Sequence, residues 1–181
     1  YSSIGQYRDV ESLNYYQILL GKGRTEEEAL QILAARSRDN GRTPMQWNGG
    51  TYGGFSEAEP WLSLSGAFRE EITAEFQKED PDSILSFYKM LISLRKKRPV
   101  IAEGTISFLE TGNDMTLAYE RALGEDKIAV FCNLGKEEQT VPIGKEWTGG
   151  KLLLENYRER RNAPEAETFV MKPYEIMAIE K

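Results

Sequence analysis

The sequence predicts a mostly β protein with helices at its N-terminal end, in which an antiparallel β-sandwich follows a helical, loop-rich half. Three observations carry this expectation. Seven short runs rich in apolar and β-branched residues crowd the stretch after Glu103, separated by turn residues. Apolar residues recur at helical spacing within residues 1–38 and again within 83–97. Between those two stretches, Gly41, Pro44, Gly49, Gly50, Gly53, Gly54, Pro60 and Pro81 prevent long regular elements.

In residues 1–38, Val10, Leu13 and Leu20 fall roughly on one helical face, and Gly21-Lys22-Gly23 breaks the run. Thr25 and Glu28 then form a capping box, each side chain satisfying an orphan amide of the first turn. Ala29, Ile32 and Leu33 carry this second helix to about Arg38. Asn40 and Gly41 suit a left-handed turn. Trp47, Tyr52, Phe55 and Trp61 stand among the breakers of residues 39–81. Loops beyond about 12–15 residues are usually functional or disordered, and this aromatic density argues against disorder.

A strong helix is expected over Ser83–Lys97, with Ile84, Phe87, Tyr88, Leu91 and Ile92 on its apolar face. Asp82 offers the N-cap, and Arg95-Lys-Lys-Arg98 puts positive charge at the end the helix dipole favours, as a solvated helix end. Pro99 stops it. The strands are expected at 105–109, 115–119, 127–131, 139–141, 151–154, 168–170 and 175–179. Lys151 falls at a strand edge, and Arg158-Glu-Arg-Arg161 in an exposed turn. The domain boundary therefore lies near Pro99, giving units of 1–98 and 99–181, without internal repeats.

Composition narrows the chemistry. The 181 residues are 40% hydrophobic and 29% charged, with a formal net charge of −6, so no basic footprint points to nucleic acid or acidic lipid. There is no histidine, which removes His-ligated metals and the Ser-His and Cys-His forms of nucleophilic catalysis. Cys132 is alone in an apolar run, so it reads as a buried thiol and no disulfide framework exists. No apolar run nears the ~20 residues of a membrane span. Neither metal nor cofactor is expected, and a neutral, sugar-like partner suits the charge. The expected location is cytoplasmic. The chain opens with Tyr1 rather than Met, so its first residue is not expected to be the native start.

The stretch Ser37-Arg-Asp-Asn-Gly-Arg-Thr-Pro-Met-Gln-Trp47 resembles a signature of the oligo-1,6-glucosidase branch of the alpha-amylase superfamily, glycoside hydrolase family 13. Its neighbours stand in the family's order. Tyr7–Asn14 looks like the segment after the last barrel strand. Gly54-Phe55 and Pro60-Trp61 match the next loop, Ser83–Arg98 the last barrel helix, and Lys172-Pro-Tyr-Glu175 the end of the following domain. The resemblance implies the last loop and helix of a truncated (β/α)8 barrel, followed by a β-sandwich C-terminal domain. It also implies a retaining alpha-glucosidase acting on short oligosaccharides, with the nucleophile Asp, the acid Glu and a third Asp on earlier strands. Residues 1–181 are then expected to be inactive alone, with no catalytic residue among them. The alternative is a non-catalytic carbohydrate-binding or structural β-sandwich module.

By resemblance, Arg42 binds substrate, holding a hydroxyl of the terminal glucose; a guanidinium can grip a hydroxyl and a neighbouring carboxylate together. The competing reading is that Arg42 only pins its loop by pairing with Asp39 or another acid. Arg38 and Asp39 read as loop-shaping. Trp47, Tyr52, Phe55 and Trp61 read as core residues, with stacking on pyranose rings as the rarer use. Asp9 and Glu11 are expected on different sides of a helix, Glu26–Glu28 as a charged first turn, and Asp80 and Asp82 as capping groups. The apolar faces of the barrel helices, including Ile84, Tyr88 and Leu91, are expected to be uncovered and to favour self-association.

Overall fold

The computed structural model describes residues 1–64, 70–157 and 162–181. The chain parts into two compact units, Tyr1–Tyr88 and Lys89–Lys181. Arg158–Arg161, read above as an exposed turn, lies outside the described residues.

The first unit opens with two helices, α1 (Val10–Gly21) and α2 (Glu26–Arg36). The predicted capping box starts α2: Thr25 Oγ1 accepts the Glu28 N–H at 3.2 Å and Glu28 Oε2 accepts the Thr25 N–H at 3.0 Å. Ala29 and Leu33 are buried against Tyr7, Tyr16 and Leu19, with Leu13, Leu20 and Ile32 at the margin. Val10 is not part of that face. It stands at the first position of α1 and is exposed, and Ser12, Tyr16 and Leu19 form the buried side instead.

Beyond α2, Arg38–Gly41 is a 3-10 turn. Asn40 and Gly41 do not adopt the expected left-handed conformation, because Ser37 caps the turn and the Asn40 amide donates to Ala34 O at 2.8 Å. The left-handed residues come later, at Tyr52 (φ 50°), Gly53 (φ 68°) and Gly54 (φ 69°). There the chain reverses tightly enough for Gly53 O to accept the N–H groups of both Trp47 and Asn48. Gly54 holds φ 69° and a β-carbon there would press on the Asn48 side chain, so this position favours glycine.

Helix α3 (Ala74–Glu79) is tied to the same loop, since the Ala74 and Glu75 N–H groups donate to Gln46 O and Trp47 O, each at 2.9 Å. Helix α4 (Ile84–Lys97) follows. Ser83, not Asp82, caps it: Ser83 Oγ accepts the Ser86 N–H at 3.1 Å, whereas Asp80 Oδ1 takes the Asp82 N–H and closes a turn one step earlier. No residue of α4 is buried, and Ile84, Tyr88 and Ile92 are well exposed. Pro99 does more than end α4, because it opens a short helix α5 (Pro99–Glu103), where its missing N–H costs nothing.

The second unit holds all seven expected strands: β1 (Thr105–Leu109), β2 (Thr116–Leu123), β3 (Asp126–Asn133), β4 (Gln139–Pro142), β5 (Lys151–Glu155), β6 (Thr168–Met171) and β7 (Ile176–Glu180). They form an antiparallel five-stranded sheet ordered β1-β2-β3-β7-β5 and a two-stranded sheet of β4 and β6. Period-2 alternation sends Ala118, Ala129, Phe131, Met177 and Ile179 to one face of the large sheet, where they meet Val141 and Met171 of the small one. Trp147, from the connection between β4 and β5, fills this core and is 1% exposed. On the other face Val100 of α5 packs on Ile128 and Ala178.

Two side chains pin the ends of the strands. Buried Asn133 donates from Nδ2 to Glu137 O and Lys172 O at 2.8 Å, and its Oδ1 accepts the Gly135 N–H at 2.9 Å. Buried Glu175 accepts the Lys172 N–H at 2.6 Å within the turn that leads into β7. Cys132 is buried as expected, and burial pushes its thiol pKa up, away from the reactive thiolate. Arg98 departs from the solvated helix end predicted for it. Together with Lys151 it pairs with Glu180, at 3.0 and 3.4 Å.

Candidate functional site

The segment Ser37–Trp47 is built onto the start of α1 by a buried polar chain. Asp9 caps α1, its Oδ2 accepting the Ser12 N–H at 3.1 Å and the Ser12 hydroxyl at 2.8 Å. Ser37 Oγ lies 2.8 Å from Ser12 Oγ and accepts the Asp39 N–H at 3.2 Å. Asp39 is 0% exposed. Its Oδ2 accepts the N–H groups of Arg8 at 2.7 Å and Asp9 at 2.9 Å, so one carboxylate oxygen closes the gap between two segments about 30 positions apart.

The other oxygen of each acid faces Arg42. Arg42 Nη1 lies 3.5 Å from Asp9 Oδ1 and 3.7 Å from Asp39 Oδ1. These are ion-pair distances, longer than the ~2.7–2.9 Å of a charge-assisted hydrogen bond, and Asp39 Oδ1 accordingly has no hydrogen-bond partner among the described residues. Nη2 and Nε of Arg42 donate to no described residue, and the side chain is partly open to solvent. The hydrogen bond from Ser12 is the main cause that holds the Asp9 carboxyl below its usual pKa. Arg38 and Arg42 pull the same way, while burial opposes them.

Other predicted candidates lie apart from this cluster. Arg38 turns outward to an exposed pair with Glu11 at 2.7 Å, which separates Glu11 from Asp9 as expected and contributes little to stability. Glu28 is occupied by the capping box and by Arg24 at 3.3 Å. The loop aromatics are not core residues. Trp47, Phe55 and Trp61 are 50%, 49% and 64% exposed, and Tyr52 is half-buried. Phe108 and Tyr174 are exposed aromatics of the second unit, on β1 and in the turn before β7.

Both carboxylates of this cluster are committed to local partners. A retaining glycosidase needs two carboxyl groups about 5–5.5 Å apart, flanking the bond. Asp9 and Asp39 instead commit one oxygen to local N–H donors and aim the other at a cation. Among the described residues, no group of three or more His, Cys, Asp or Glu is disposed to hold a metal ion. No described helix is long and apolar enough to cross a membrane.

The chain belongs to the alpha-amylase family, matching the model of the alpha amylase catalytic domain over residues 7–104. Its relatives include an oligo-1,6-glucosidase of Bacillus cereus, 33% identical over 98% of this chain and 32% of that protein. A trehalose-6-phosphate hydrolase of Escherichia coli is 35% identical, with the same coverage of 98% and 32%. The crystal structure of Bacillus licheniformis trehalose-6-phosphate hydrolase superposes with a TM-score of 0.88 at 36% identity, covering 99% of this chain and 33% of that one. The chain thus spans about a third of the length of the curated relatives it matches.

Sequence reasoning missed what Asp9 and Asp39 have in common. Asp9 has the spacing of a cap, with Ser12 three positions on, and that signal was available. Nothing local announces that Asp39 reaches back to the amides of Arg8 and Asp9.

Proposed function

We propose that these residues are the C-terminal third of a retaining alpha-glucosidase that hydrolyses terminal α-glucosidic bonds in short, isomaltose-type oligosaccharides. Residues 1–98 supply the end of its barrel and 99–181 its C-terminal domain. Arg42 binds substrate, presenting Nη2 and Nε to a sugar hydroxyl, and the exposed Trp47, Phe55 and Trp61 stand on the same loop-rich segment. The observation that carries the reading is the end-to-end match to a third of an oligo-1,6-glucosidase and of a trehalose-6-phosphate hydrolase. The catalytic acids belong to the two-thirds of such enzymes that this chain does not match. Purified residues 1–181 are therefore expected to release no product from an aryl α-glucoside, whereas the complete gene product turns it over with retention. Steady hydrolysis by the 181 residues alone would overturn the proposal.

We further propose that the isolated chain self-associates through the exposed apolar side of α4, which carries Ile84, Tyr88 and Ile92. Sedimentation velocity is expected to show oligomers that dissociate when Ile84 and Tyr88 are changed to Ser. A wild-type chain that stays monomeric at tens of micromolar would count against this.

A further inference from the structure

We propose that Asp39 and Asp9 are positioning residues for Arg42, holding its guanidinium by one nitrogen so that the rest of the fork stays aimed at the ligand. The inference rests on the reading of Arg42 as the substrate-binding residue.

The geometry divides the work of each carboxylate. Both Oδ2 atoms are spent on the local framework: Asp39 on the Arg8 and Asp9 amides, Asp9 on Ser12. Both Oδ1 atoms converge on the same atom, Arg42 Nη1. A guanidinium has five N–H groups, two of them on Nη1. The acids therefore occupy one corner of the fork, and three N–H groups on Nη2 and Nε remain for a ligand.

Distance explains why this is positioning and not merely a clamp. A hydrogen bond weakens steeply with distance and angle, whereas attraction between charges falls only as the inverse of separation. At 3.5 and 3.7 Å the acids fix the direction of Arg42 without locking it, so it can advance toward a hydroxyl at small electrostatic cost. Burial supplies the stiffness behind it. Asp39 is wholly inaccessible and anchored by two backbone donors, so its Oδ1 is a fixed point and cannot follow the arginine outward.

The test separates this role from a purely structural one. In Asp39→Asn the amide oxygen can still accept both backbone N–H groups, which turns an NH2 group toward Arg42. The framework is kept and Asp39's share of the hold on Arg42 is lost, leaving only Asp9 opposite Nη1. In the complete gene product, D39N is expected to raise KM for an aryl α-glucoside about tenfold with kcat little changed, the loss of one charge-assisted contact. R42A is expected to do at least as much, and D39N added to R42A to change KM no further, because the aspartate acts through the arginine. Independent, additive effects, or an unchanged KM in D39N beside an impaired R42A, would overturn the positioning role. An unchanged KM in R42A would instead remove the substrate-binding reading beneath it. D9N runs the same cycle through the other carboxylate should D39N fail to fold, and its indifference to R42A would be equally damaging.

Discussion

Replacing Trp147 by alanine is expected to cost the second unit about 3–5 kcal/mol, the range for removing a large aromatic side chain from a packed core. Trp147 is the largest fully buried side chain and belongs to the cluster formed by both sheets. Its indole Nε1 has no hydrogen-bond partner among the described residues, so the loss is one of packing and cavity formation. Trp147→Phe, which keeps most of the ring volume and removes the unpaired donor, is expected to cost well under half as much. Amide exchange in β3 and β7 reads the effect within this unit. If W147A leaves the protection of those strands within tenfold of wild type, the packing argument is wrong.

Asp39→Ala is expected to carry the largest penalty in the first unit, about 2–4 kcal/mol, because the amides of Arg8 and Asp9 lose their acceptor. The effect is specific to the missing oxygen. Asp39→Asn restores an acceptor at the same place and is expected to recover most of the stability, although it does not restore the hold on Arg42. Thermal unfolding of the two variants side by side tests this. Equal midpoints for D39A and wild type would show that water replaces the carboxylate at no cost. The contrast between alanine and asparagine also separates the two duties of Asp39, since one oxygen serves the framework and the other serves Arg42.

The fold was legible where signals are local. The capping box at Thr25 and Glu28 and the seven strands after Glu103 depend on neighbours within a few residues or on a period of two, and both stand as read. Errors arose where two local candidates competed. Asp82 was the expected cap of α4, but the chain turns at Asp80–Asp82 and Ser83 Oγ, one residue later, accepts the Ser86 N–H. Asn40 and Gly41 have the composition of a left-handed turn, but capping by Ser37 and the Asn40 bond to Ala34 made a 3-10 turn the better solution.

The candidate site was half legible. Arg42 could be singled out from the resemblance of Ser37–Trp47 and Asp39 named as a partner for it, but Asp9 could not. The exposure of Trp47, Phe55 and Trp61 ran against the ordinary preference of aromatic residues for a core. That preference is an average over proteins and does not settle the burial of any one residue.

By itself the sequence determined the three longer helices, the seven strands and the absence of histidine chemistry, because these follow from residue type and short-range spacing; the family came from the resemblance of Ser37–Trp47 and its neighbours. The tertiary structure alone decided that Asp39 is buried beneath Arg8 and Asp9 and that Trp147 stands in the middle of the sandwich. Each of these is a relation between segments far apart in the chain. Burial and pairing depend on which surfaces meet in space, and nearest-neighbour patterns carry no record of that.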